Sequence, residues 1–210
     1  MAAANPLTNP LSSHVLMGLL SLLFMISTLH TALAASSTSP GNNIHTYENY
    51  IKTSCNSTTY PALCYKSLSP YAFKIKENPH NICKTALSRT LKAARNASST
   101  VKGLSRQTAG LTRLEAAVIK DCIVNLGNSL DELKQSLNAL KHLNDSNNAV
   151  QLENIKTWVS AALIDEHTCM DGFEEGGWVS AAVKNKIRNS VVKIAWLTSN
   201  ALCLINNLKH

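Results

Sequence analysis

Two long apolar stripes, separated by one polar break, constrain this chain more than any other feature. Leu126, Leu130, Leu133, Leu137 and Leu140 recur in alternating steps of four and three. Leu152, Ile155, Val159, Ala162, Glu166, Cys169 and Phe173 follow the same rule. That period places each set on one face of an α-helix. The break between them, "LNDSNN" (143–148), is a short polar loop that turns the second helix back along the first. Cys122 and Cys169 lie equally far from the middle of this loop. In an antiparallel pair both therefore stand at one height, about 35 Å from the turn at a rise of about 1.5 Å per residue. The segment "DEHTCMDGF" (165–173) leaves three roles for Cys169: nucleophile, metal ligand or half of a staple. Equal height and a place on the apolar stripe select a Cys122–Cys169 disulfide.

Two more segments carry the helical period. One spans 79–104, with Ile82, Ala86, Ala93, Ala97 and Val101 near one face; the other spans 178–208, with Ile187, Ile194, Leu197, Ala201, Leu204 and Leu208. Together with 109–143 and 148–173 they give four helices joined by short loops. The predicted fold is all-α, an up-down-up-down four-helix bundle over 79–208. Only 5% aromatics and 8 glycines argue against a strand-rich sandwich. Ahead of the bundle, "IHTYENYIKTSC" and "TYPALCYKSLSPYA" form a helical hairpin over 45–75, and Cys55 and Cys64 flank its turn. A Cys55–Cys64 bridge closes a small local loop there. Cys83 and Cys203 fall at bundle ends of similar height, but Cys203 lies off the Ala201/Leu204 face. A Cys83–Cys203 bridge and a pair of free thiols both remain open.

The first 35 residues contain no charged side chain and include "VLMGLLSLLFMISTL" (15–29), followed by the small residues Ala32 and Ala34. This reads as a cleaved signal peptide over 1–35, since the apolar run is shorter than the roughly 20 residues of a membrane span. Residues 36–44 are then a flexible leader and 45–208 the folded domain. Secretion to the extracellular space is expected, with no membrane association after cleavage. All six cysteines lie in the mature part, where an oxidising environment lets them pair. Three sequons, at Asn56, Asn96 and Asn144, are glycosylation candidates on that route.

Little in the chain points to chemistry. The net charge is +7, yet no two Lys or Arg are adjacent, so no nucleic-acid partner is expected. No His/Cys group has the close spacing of a metal site, and no metal or other cofactor is expected. No G-x-S-x-G is present. The pairs Asp131/Glu132, Asp165/Glu166 and Glu174/Glu175 are sequence neighbours, which diverge on a helix and make no acid/base pair. A small bundle is also expected to offer no deep cleft. Recognition remains. Asp165, Glu166, Thr168 and Asp171 surround the stapled Cys169. By spacing alone they are either a partner-gripping face or solvated acids beside a helix that Asp171-Gly172 ends or bends.

At this point the sequence resembles a known family. "TWVSAALIDEHTCMDGFEE" (157–175), "YIKTSCNSTTYPALCYKSLSPYA" (50–72), "AAVIKDCIVNLGNSLDELKQSLNAL" (116–140) and "TSNALCLINNL" (198–208) resemble, in order, motifs of the plant pectin methylesterase and invertase inhibitors. The resemblance covers about residues 45–208. It implies a four-helix bundle behind a helical hairpin, with Cys55–Cys64 and Cys122–Cys169 paired. It implies a proteinaceous inhibitor rather than an enzyme, binding a pectin methylesterase one to one and covering its substrate cleft. The family's Thr-Cys-x-Asp contact segment maps to Thr168 and Asp171. The same bundle also precedes some esterases as a pro-region; a chain stopping after the bundle is expected to be a stand-alone inhibitor. Invertase inhibitors carry a Pro-Lys-Phe segment before the last helix, where this chain has "EEGGWVS". The resemblance therefore favours the esterase of the plant cell wall as target, with invertase and a non-inhibitory wall-binding role as alternatives. The positive charge also suggests weak binding to acidic pectin.

Overall fold

The computed structural model describes residues 40–106, 110–143, 148–174 and 179–208. Helix α1 spans Pro40–Asn56 and α2 spans Pro61–Leu68. A 3-10 turn, Ser69–Tyr71, leads into the short α3, Ala72–Ile75. The long helices are α4 (Pro79–Ser105), α5 (Arg113–Lys141), α6 (Asn148–Glu174) and α7 (Ala181–Asn206). No strand occurs among the described residues. Of the unit Met1–Asn42 only residues 40–42 are described, and the expected signal peptide lies outside the described residues. Among the described residues no helix is long and apolar enough to cross a membrane.

Local signals set the boundaries. Asn78 Oδ1 accepts the N–H of Asn81 at 2.9 Å and Pro79 follows, so α4 starts with a side-chain cap and a preset φ. Helix α5 starts on a capping box: Thr112 Oγ1 accepts the N–H of Glu115, and Glu115 Oε2 accepts that of Thr112. The first helix corrects the expected leader. It begins at Pro40, so residues 40–44 are helical where 36–44 was expected to be flexible. Proline at a first helical position loses no intrahelical bond, and it starts the helix earlier than composition suggested.

In the bundle α4 packs on α5, α5 on α6, α6 on α7 and α7 back on α4, a closed up-down-up-down square. All seven stripe residues of α6, from Leu152 to Phe173, are buried. The stripe of α5 differs from expectation. Its buried line is Glu115, Ile119, Cys122, Leu126, Ser129, Leu133, Ser136 and Leu140. Leu130 and Leu137 stand beside it, partly buried, and the small hydroxyls Ser129 and Ser136 take the inner positions. Both lines share Leu126, Leu133 and Leu140, so hydrophobicity alone preferred the leucines. Ser129 fits because a polar partner waits across the interface, as described below.

Two disulfides staple the fold. Cys55 and Cys64 are joined with Cα atoms 5.5 Å apart, and Cys122 and Cys169 with Cα atoms 4.3 Å apart. Cys83 and Cys203 are free. The third bridge left open by the sequence does not form because the two side chains face different surroundings. Cys83 is fully buried in the core, whereas Cys203 Sγ lies 3.6 Å from Thr59 Oγ1 in the hairpin turn. That turn is anchored on α7: Asn200 Oδ1 accepts the N–H of Tyr60 at 2.8 Å, and its Nδ2 donates to Tyr60 O at 3.0 Å. Asn200 is 2% exposed, and this amide pairing satisfies both of its polar atoms.

Candidate binding face

The stapled pair α5–α6 carries the predicted site residues, but the structure divides them. Thr168 and Asp171 are exposed on the outer face of α6. Thr168 Oγ1 donates to Ile164 O at 2.9 Å within its own helix. Ile164 is 66% exposed and lies one turn before Thr168 on the same face. An exposed isoleucine was not foreseen; the signal was its position off the Leu152-to-Phe173 stripe. Cys169 on the opposite side fixes this turn to α5, so Ile164, Thr168 and Asp171 are held on a rigid rod.

Asp165 and Glu166 do not join that face. Glu166 is completely buried, which corrects its assignment as a partner contact. Its place on the apolar stripe decided this, since a helix position facing the core stays there whatever side chain it carries. Ser129 Oγ donates to Glu166 Oε1 at 2.9 Å; Thr198 Oγ1 shares its hydrogen between Glu166 Oε1 at 3.0 Å and Ile194 O at 2.9 Å. Glu166 Oε2 has no partner among the described residues. Burial is the main cause that pushes the Glu166 carboxyl up to about 8, and the neighbouring Asp165 and Glu132 charges add to it. The group is therefore protonated at neutral pH.

Asp165 is half-buried between α5 and α6, facing Glu132 and hydrogen-bonded to Asn128. Desolvation raises it, and desolvation with the charge of Asp165 raises Glu132 to about 7. Carboxylates thus do pair here, across two helices rather than between sequence neighbours. Only the fold could bring Glu132 and Asp165 together.

A second polar link closes the bundle. Glu115 is 3% exposed, and its Oε1 accepts the N–H of Ser180 at 2.8 Å while Oε2 serves the cap of α5. One carboxylate thereby joins the N-termini of α5 and α7, where helix dipoles favour negative charge. Backbone hydrogen bonds from Thr112 and Ser180 are the main cause that lowers Glu115 to about 2. The signal was legible as Thr112-x-x-Glu115; its second partner was not.

Among the described residues no group of three or more His, Cys, Asp or Glu could hold a metal ion. Asn56 and Asn96 are exposed, as a glycosylated asparagine must be, and Asn144 lies outside the described residues.

The described residues thus form a disulfide-stapled helical bundle with Ile164, Thr168 and Asp171 exposed on α6. The family of plant invertase/pectin methylesterase inhibitors matches residues 49–204, and the chain belongs to it. The family is one of enzyme inhibitors, which indicates an inhibitor rather than an enzyme. Pectinesterase inhibitor 10 of Arabidopsis thaliana is 46% identical over 77% of this chain, a match that spans about half (53%) of that relative's length. The 21 kDa protein of Daucus carota is 41% identical over 89% of this chain and 95% of its own length. Pectinesterase inhibitor 9 of Arabidopsis thaliana is 40% identical over 88% of this chain and 92% of its own. A crystal structure of a mutant form of an Arabidopsis pectin methylesterase inhibitor has the same fold, with a TM-score of 0.59 at 22% identity over 76% of this chain and 97% of that one.

Proposed function

We propose that this chain is a secreted inhibitor of pectin methylesterase that binds the enzyme one to one and covers its substrate cleft. In this reading it restrains de-esterification of pectin in the cell wall. The observation that carries it is family membership with relatives named pectinesterase inhibitor at 46% and 40% identity. The face around Ile164, Thr168 and Asp171 supplies the grip in this reading: an apolar side chain flanked by hydrogen-bonding ones on a helix that loses little freedom on binding. A specific interface of standard size buries about 1,600 Å² in total, so the contact extends beyond these three residues. The net charge of +7 adds weak, salt-sensitive attraction to acidic pectin.

The test mixes the mature chain with several plant pectin methylesterase isoforms at acidic and neutral pH and follows release of methanol from soluble pectin. Inhibition saturating at equal molarity is expected for at least one isoform. No loss of activity at molar excess with any isoform would sink the proposal. Loss of sucrose hydrolysis in a parallel invertase assay would move the target to that enzyme.

A further inference from the structure

Charge is partitioned between the two halves of the bundle. Helix α4 carries Lys84, Arg89, Lys92, Arg95 and Lys102 and no acidic residue. Helix α7 carries Lys184, Lys186, Arg188 and Lys193 and none either. The acids of the bundle sit on α5 and α6, including Asp165 and Asp171. In the closed square α4 packs on α5 and α7 and stands diagonally opposite α6, which carries Ile164, Thr168 and Asp171.

The cationic edge is grooved, which sequence reasoning on a small bundle did not anticipate. A cleft of about 730 Å³ lies between α2, α4 and α7, lined by Leu63, Lys66, Arg89, Lys92, Lys193 and Trp196 among others. Arg89 and Lys92 also line a second cleft of about 350 Å³ with Tyr71 and Arg95. Arg95 in turn lines a third of about 440 Å³ with Lys102 and Arg106, on the side of α4 that meets Leu130 of α5. No Asp or Glu lines any of the three. From Arg89 to Arg106 the chain rises about 25 Å, so the cations are spread along α4 rather than gathered in one spot.

Most of these cations have no carboxylate partner among the described residues. Among the described residues of α4 and α7, only Arg188 has a carboxylate within ion-pair distance, Glu174 at 3.6 Å. The Nε of Arg89 is buried without a hydrogen-bond partner, while its guanidinium lies 5.3 Å from the centre of the Tyr71 ring. Trp196 is 39% exposed at the cleft, its ring 5.2 Å from that of Tyr60. A linear polyanion fits such a track, and an exposed indole beside cations suits the apolar face of a sugar ring.

We propose that this α4–α7 track binds a strand of acidic polysaccharide, with Arg89, Lys92, Arg95 and Lys193 pairing its carboxylates and Trp196 meeting a sugar ring. The choice of a polyuronate among linear polyanions rests on the pectin-related reading above. The contact is charge-driven, hence weakened by salt, and it leaves the α5–α6 face free. Inhibitor and enzyme can then stand together on the polymer.

The experiment measures binding of the mature chain to polygalacturonate at low salt, in an Asn96→Gln background because Asn96 lines the main cleft and opens a sequon. Lys92→Glu with Lys193→Glu is compared with Lys120→Glu and Lys141→Glu on α5, an equal change in net charge. All four lysines are exposed. Expected are at least tenfold weaker binding for the α4–α7 pair, less than threefold for the α5 pair, unchanged melting for both, and a polygalacturonate-induced fluorescence change that Trp196→Phe abolishes. Fully methyl-esterified pectin should not bind. Absence of binding, equal losses in both pairs, or equal binding to anionic phospholipid vesicles or polynucleotide would overturn the proposal. Inhibition of esterase on a short soluble substrate should survive Lys92→Glu with Lys193→Glu. Failure of inhibition with binding intact would sink the inhibitor reading alone.

Discussion

Ser129 Oγ donates a 2.9 Å hydrogen bond to Oε1 of Glu166, two polar side chains meeting inside a bundle interface where neither is exposed to solvent. The bond explains why a serine displaces a leucine from the inner line of α5. It also leaves the second oxygen of Glu166 without a partner, and stability should depend on the proton there.

The carboxyl of Glu166 is raised from 4.5 to about 8 by burial. Below 4.5 it is protonated folded or unfolded and has no effect on the balance. Between 4.5 and about 8 the unfolded chain releases a proton that the native state keeps, so stability falls as pH rises. Glu166→Gln is expected to flatten that fall by up to ~1.4 kcal/mol per pH unit, the limit for one proton. Melting temperature against pH from 4 to 8 measures it; parallel curves for both proteins would refute the assignment. Glu132, raised to about 7, should leave a residual slope near neutrality.

The Cys122–Cys169 bridge closes a loop with a sequence separation of 47. Chain entropy assigns such a loop about 4 kcal/mol. Cys122→Ala with Cys169→Ala should lower unfolding free energy by that order in urea titrations, while the local Cys55–Cys64 pair should cost about 2–3 kcal/mol. A larger loss from the shorter loop would contradict the entropic account.

Thr168→Ala with Asp171→Ala should weaken inhibition of a sensitive esterase about tenfold or more, roughly 1.4 kcal/mol of binding. Helicity and melting should hardly change, since both side chains are exposed and neither bonds another helix. Full inhibition by the double variant would take these residues out of the interface. Ile164→Ser should act in the same direction through lost apolar contact.

Cys83 is buried, and that burial pushes its thiol up to about 12. Native protein should therefore be alkylated at Cys203 and spared at Cys83. Both should react after unfolding without reduction, and peptide mapping reads the outcome. Modification of neither thiol in urea would mean that they are bonded after all.

Thr112→Ala should cost about 1 kcal/mol by removing the cap of α5. Glu115→Gln should destabilise as well, because Glu115 also holds Ser180 at the start of α7. Denaturant midpoints at neutral pH compare them.

The four bundle helices and the Cys122–Cys169 pairing were legible in the sequence, while helix ends such as the start of the first helix at Pro40 were not. Periodicity and the placing of two cysteines about one loop are properties of a single helix or hairpin, and local rules govern those. The stripe of α6 even carried Glu166 inward, although its charge had argued for the surface. What the chain could not declare alone were relations between helices: Ser129 against Glu166, Glu132 against Asp165, Glu115 spanning two N-termini, and Asn200 holding Tyr60. Each depends on the rotation of one helix about its axis relative to another. Several rotations bury similar apolar area, and polar matches across the interface decide among them. The cationic track follows the same logic, since its residues were visible one by one and became a series of clefts only once α4 was packed among α5, α7 and the hairpin.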